Sequence, residues 1–283
     1  LCTRTSARTT ELEESAAKRQ ATPLPTPQAK RSAAVVIVDD PPVPPDYERH
    51  ILRNTPIDQI WSYINPRMLL GRHLGMKNST VRLLEQAEHD TDVLSQIAEN
   101  DPGILRTWET VCEVKETYRG TDVMAPAAVY RYFRCSSDGN VLNIFGEPDD
   151  DAARVTIGFP RQPKGDYLCI ADFANPATAA ADNLVMFVTT VGQGVRQLAD
   201  DLNGRGEFLK AHVLMALAIE SAEGYAELLH TQIRSMWQIP DPPDITRMDI
   251  FQAKYRGKRY SFGYPACPDL EHQRHIWNLL QPD

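Results

Sequence analysis

At 283 residues the chain is long enough for one large domain or two small ones, with a full hydrophobic core. Its formal charge of -8 leaves no basic excess to meet phosphates, which argues against nucleic acid, and no apolar run approaches the length of a membrane span. Five widely spaced cysteines (Cys2, Cys112, Cys135, Cys169, Cys267) form no C-x-x-C pair, so a reduced, cytoplasmic setting fits better than a disulfide framework or a zinc site.

Taken in order, residues 1–46 read as a flexible linker: "SAAKRQATPLPTPQAKRSAA" and "DDPPVPPDY" are rich in proline, alanine and charge and cannot bury a core. Val35 to Val38 could add one strand at a sheet edge, and order is expected from Tyr47. "TPIDQIWSYINPRMLLGRHLG" predicts two short helices with a break at Asn65-Pro66. "STVRLLEQAEHDTDVLSQIAEND" has helical apolar spacing with a break near Asp90, and "DPGILRTWETVCEVKETYRG" has proline in the first turn and glycine at the end. "AAVYRYFRCSSDGNVLNIFG" carries a hairpin signal at Asp138-Gly139-Asn140. "ARVTIGFPRQ", "YLCIADFA" and "NLVMFVTTVG" add strand candidates. "GEFLKAHVLMALAIESAEGYAELLHTQIRSMW" predicts one helix of about eight or nine turns. "DITRMDIFQAKY" predicts a short helix capped by Asp244, and Asp269 to Gln281 a last helix. Helices, then strands, then helices predict an α+β domain with an antiparallel sheet.

Chemical motifs are sparse. His272 and His275 have a metal-compatible spacing but no third ligand near them in sequence, so a solvated helix face accounts for them better. "VGQGVRQ" lacks the third glycine and the lysine of the common phosphate loops and reads as a strand-to-helix turn. Glu223 and Glu227 lie one turn apart among Ala218, Ala222, Gly224 and Ala226, a pattern that leaves room for a molecule against the helix, or simply makes a charged face. The crowded stretch "RYSFGYPACPDLEHQRHIWNLL" sets Gly263, Pro265 and Pro268 beside three alternating aromatics. Such a loop can hold a ligand, or can be a packed surface turn.

"YLCIADFANP", "ALAIESAEGYAELLHTQIRSMW" and "RYSFGYPACPDLEHQRHIWNLL" strongly resemble the C-terminal activation domain of cobalamin-dependent methionine synthase, and "IDQIWSYINPRMLL" resembles that family's opening segment. The resemblance covers roughly 47–281. It implies a curved single domain with a twisted antiparallel sheet flanked by helices, spanning 47–283, that binds S-adenosylmethionine in a shallow groove. It implies part of a methyltransferase, inert alone, that serves reductive remethylation of cob(II)alamin. The cobalamin would sit on a neighbouring domain of the same polypeptide, and a flavodoxin-type donor would supply one electron. With an electrophilic methyl on a sulfonium and a nucleophilic cofactor, such a domain needs no catalytic residues and no metal of its own; it has only to position its ligand.

Carried onto this chain, the resemblance gives Arg259 the methionyl carboxylate and makes Glu223 a ligand contact. It places Asn65 near the ammonium group, where many members have aspartate. The backbone of Ser261 and Gly263 would meet the adenosine moiety, and Tyr264 would face cobalamin. Tyr260 and Phe262 replace two of the family's prolines, and the chain stops where members continue, so a C-terminally truncated domain is expected. Two further readings are a free-standing corrinoid reactivation protein and a non-catalytic binding module that has kept the fold.

Overall fold

The turn at Asp138-Gly139-Asn140 starts the sheet, with Gly139 taking a φ of +58°. In the computed structural model, which describes residues 31–53, 55–86, 91–147 and 149–282, this turn joins β2 (Ala127–Asp138) to β3 (Val141–Ile144). β4 (Val155–Gly158) pairs with β3, and β5 (Asp182–Thr190) runs along β2 from Cys135 opposite Asp182 to Ala127 opposite Thr190. β1 (His50–Leu52) pairs with the start of β2, so β1 and β3 share the edge that β5 does not use. Every strand pair is antiparallel.

β2 decides where the cores lie, because successive side chains point to opposite faces. Ala128, Tyr130 and Tyr132 belong to a helical core, with Ile60 and Trp61 of α1 (Ile57–Trp61) and the apolar face of the long helix. Val129, Phe133 and Cys135 enter a second core with Ile144, Ile157, Cys267, Leu279 and Leu280. Each fully buried Leu or Phe there contributes about 1.5–3 kcal/mol. The protein is thus α+β, an antiparallel sheet with helices on both faces.

The helices follow the apolar periodicity. After α1, Arg67–His73 winds as a π-helical turn, and α2 (Asn78–Gln86), α3 (Thr91–Asn100) and α4 (Pro102–Tyr118) follow. Asp101 caps α4 by accepting the Ile104 N–H at 3.2 Å. α5 (Val195–Gly204) leads from the VGQG turn, where Gly194 has φ +73°. α6 (Phe208–Met236) is the single long helix expected from the sequence. Gly224 lets it touch backbone: a Cβ there would stand 2.9 Å from the Ile60 carbonyl oxygen and 3.2 Å from Ile64 N. α7 (Arg247–Phe251) and α8 (Gln273–Leu280) complete the fold.

Several local expectations are corrected. "YLCIADFA" is not a strand, because the buried Asp172 accepts the Cys169 N–H and curls Ile170–Phe173 into a 3-10 turn. α7 is capped by Thr246, not Asp244, in a reciprocal box with Asp249. Val35–Val38 add no strand, and the last helix opens as a 3-10 turn at Leu270–His272. Residues 31–46 lie on the body, well before Tyr47: Arg31 Nη1 donates to the Ala174 carbonyl at 2.7 Å, and Trp237 Nε1 donates to that of Pro42 at 2.8 Å. The break near Asp90, Cys2 and the linker up to residue 30 lie outside the described residues. Among the described residues no helix is long and apolar enough to cross a membrane.

Candidate functional site

α6 turns a polar stripe to one side through Glu220, Glu223 and Glu227, one turn apart, and Arg234, two turns further on. A buried helix face tolerates charge only where each group is partnered, and Glu220, Glu227 and Arg234 are, while Glu223 is half exposed. Glu220 takes His73 Nε2 at 2.9 Å, while its own burial drives its pKa up. Arg234, 1% exposed, bonds Asp241 and lies 4.0 Å over the Tyr255 ring. Glu227 bonds Arg259 Nη2, whereas Glu223 stays 3.8 Å from Nη1, too far for a hydrogen bond.

Arg259 opens the loop that crosses this stripe. Burial opposes its charge, but Glu227, by charge and by hydrogen bond, outweighs burial and holds the guanidinium pKa above its usual value. Arg259 Nε and Glu227 Oε2 are nonetheless buried with no hydrogen-bond partner among the described residues. Beyond Arg259 the chain folds back tightly. Gly263, at φ +94°, donates to the Cys267 carbonyl at 2.9 Å, and Cys267 N–H donates to that of Tyr264 at 2.9 Å. A Cβ on Gly263 would meet Leu270 Cδ2 at 3.0 Å. Phe262 packs into the second core, and Tyr260 meets the Phe173 ring at 5.6 Å. The aromatics thus divide between packing and display, with Tyr264 58% exposed.

Between this loop and residues 160–173 runs a groove of about 800 Å³. Glu223, Arg259, Ser261 and Tyr264 line it, so the fold gathers these sequence-selected residues. Gly263 shapes the turn behind the lining. Asn65 does not line the groove; its side-chain carbonyl accepts the Arg67 N–H at 3.0 Å, one residue after the Ile64 backbone that lies against Gly224. His272 sits between the Phe159 and Phe262 rings, and among the described residues no group of His, Cys, Asp and Glu could hold a metal ion.

The opposite wall was missed. Arg161 and Asp172, 2% and 1% exposed, form a bidentate pair at 2.6 and 2.8 Å. Arg161 also bonds the Asn140 side chain and the Tyr167 carbonyl. This knot holds Pro160, Leu168, Cys169 and Ile170 against the groove. Arg161 and Asp172 lie eleven positions apart, in two stretches each read as a strand candidate, and neither residue was selected.

Residues 111–283 match the family model described as vitamin B12 dependent methionine synthase, activation domain. The chain belongs to that family. The matched span takes in both groove walls and the Gly263 turn, while Asn65 precedes it. Methionine synthases of Mycobacterium tuberculosis and Mycobacterium leprae are each 35% identical over 173 residues, covering 56% of this chain and 14% of theirs. The chain therefore spans about one-seventh of the length of these curated relatives. The crystal structure of the MetH reactivation domain bound to AdoHcy superposes with a TM-score of 0.71 at 22% identity, over 85% of this chain and 72% of that one. This activation domain shares that fold.

Proposed function

We propose that the groove binds S-adenosylmethionine and that the chain acts as the reactivation module of a cobalamin-dependent methionine synthase, a cytoplasmic methyltransferase. The observation that carries this reading is the convergence of Glu223, Arg259, Ser261 and Tyr264 on one groove. The donor set suits an amino acid joined to a nucleoside. Arg259 keeps Nε without a hydrogen-bond partner and holds Nη1 only in a loose 3.8 Å ion pair with Glu223, which leaves the guanidinium able to turn to a carboxylate; Glu223, half exposed, offers charge to an ammonium or sulfonium. Tyr260 and Phe173 give an apolar flank to a flat base.

When bound by the neighbouring domain of the same polypeptide, cobalamin supplies the nucleophile that takes the methyl group; a flavodoxin-type protein is the proposed electron donor. This chain's residues bind and orient. Arg259, fixed from behind by Glu227, sets the amino-acid end. Ser261 and the Gly263 turn set the adenosine, and Tyr264, projecting beyond the turn, faces the cobalamin. No side chain is asked to move a proton. The domain is assigned to 47–283, extended back to residue 31 by the packing of the preceding segment.

Calorimetry with S-adenosylmethionine tests this reading. Saturable binding, with none for ATP, is expected. Absence of binding to the full chain would overturn it in favour of a module that has kept the fold alone.

A further inference from the structure

The segment before β1 ends up on the groove wall. Ser32, 6% exposed, donates its backbone N–H to Asp172 Oδ2 at 3.3 Å, and its hydroxyl donates to the Asp166 carbonyl at 2.5 Å. Arg31 Nη1 donates to the Ala174 carbonyl and, at 3.3 Å, to Ser137 Oγ. Further along, Val38 and the Asn175 side chain exchange two bonds, at 3.1 and 2.7 Å. The strap then reaches Trp237, at the end of α6, through the Pro42 carbonyl.

One carboxylate is common to strap and groove. Asp172 holds the Arg161 guanidinium, the Cys169 N–H and the Ser32 N–H together, and Arg161 and Cys169 line the groove. The strap spans from this wall to the helix that bears Glu223 and Glu227. A carboxylate that accepts from three directions loses part of its fixing when one donor leaves, and the 3-10 turn at Ile170–Phe173 hangs on it.

We infer that the strap at 31–42 clamps the ligand groove, with Ser32 and Asp172 as positioning residues, so that seating of the strap and occupancy of the groove favour each other. The coupling is reciprocal by linkage: whatever lifts the strap loosens the wall, and a molecule pressed on the wall seats the strap. The ligand half rests on the proposed binding of S-adenosylmethionine. The mechanical half does not.

The test uses the full chain with Ser32→Pro, which removes the N–H to Asp172, and Ser32→Ala, which keeps it. Hydrogen exchange without ligand is followed at the amides of Gln162, Cys169 and Asp172, with Leu217 and Leu229 of α6 as the internal reference. Ser32→Pro is expected to speed the wall amides about tenfold and raise the S-adenosylmethionine Kd by a similar factor, within the usual range of coupling between sites. The α6 amides should stay unchanged, and Ser32→Ala, which keeps the N–H to Asp172 but loses the hydroxyl bond to the Asp166 carbonyl, should fall between the parent and Ser32→Pro. Unchanged wall amides in Ser32→Pro would overturn the inference, as would wall and α6 amides accelerating together. Should Ser32→Pro fail to fold, Ser32→Asp, which sets a like charge beside Asp172, takes its place with the same expectations. If the parent binds no S-adenosylmethionine, the reading of the groove fails, and the exchange arm by itself decides whether the strap clamps the wall.

Discussion

Two arginine–carboxylate pairs face each other across the groove, and they are built to opposite standards. Every nitrogen of Arg161 is bonded: Asp172 takes two bonds, and Asn140 and Tyr167 take one each. Arg259 is bonded by Glu227 and only loosely paired with Glu223 at 3.8 Å, and both Arg259 and Glu227 keep a buried atom with no bond. A fully satisfied buried pair has nothing left to offer a ligand and serves to specify a shape. A partly satisfied one retains capacity for binding, at some cost in stability. The contrast separates an arginine whose every nitrogen is bonded from one that keeps a nitrogen free in the same groove.

The largest effect should come from breaking the saturated pair. Asp172→Ala strands a buried guanidinium and is expected to cost about 3–5 kcal/mol in urea unfolding. A loss under about 1 kcal/mol would show that water reaches Arg161. Arg259→Ala should act on the other quantity: S-adenosylmethionine binding weakens by about 2–4 kcal/mol, as for a lost charge-assisted bond, with a smaller change in unfolding than Asp172→Ala gives. Equal effects on stability would erase the distinction drawn above.

Behind Arg259 lies a third test. Burial first, then the charges of Arg234 and Arg259, depress the His230 pKa from its ordinary 6.5 to about 3. The unfolded chain therefore binds a proton on this residue between those values while the folded chain does not. Stability is full above pH 6.5 and falls as the pH drops through that window. Between pH 7.5 and 5 the loss from this group should be about 2 kcal/mol. Thermal melts of His230→Asn should show a correspondingly shallower slope; an unchanged slope would place the proton elsewhere. The smallest effect is assigned to Asn65→Asp. Aspartate caps the Arg67 N–H as well as asparagine does, so stability should hold; if position 65 lies beside the ligand's ammonium, as the resemblance implies although Asn65 does not line the groove, the added carboxylate should tighten binding by up to about 1 kcal/mol. Weaker binding would mean that Asn65 does not face that group.

The sheet and the long helix were legible because period-two and helical spacing are local signals. Asp138-Gly139-Asn140 announced its turn, and α6 needed no tertiary context. One groove wall was legible for the same reason, since Arg259 to Pro268 is one stretch of chain. The other was not. "YLCIADFA" has strand-like composition, and what curls it is a carboxylate whose partner Arg161 becomes a neighbour only after folding. Proline and alanine likewise describe residues 31–46 as linker, while backbone bonds to Asp172, Asn175 and Trp237, which composition does not encode, tie them down.

Gly224 gives α6 a property that a packed helix usually lacks. Ordinary helix faces meet through side chains that can shift by a fraction of an ångström, whereas here a helix backbone rests directly on the backbone between Ile60 and Ile64. The contact works as a key in a slot. It forbids rotation of α6 about its axis, because the next residue, Tyr225, is anchored in the core with its hydroxyl on Thr55 at 2.8 Å. Glu223 and Glu227 therefore approach the groove at a fixed angle. Any movement within the domain has to carry α6 and the 60–64 segment together as one rigid piece.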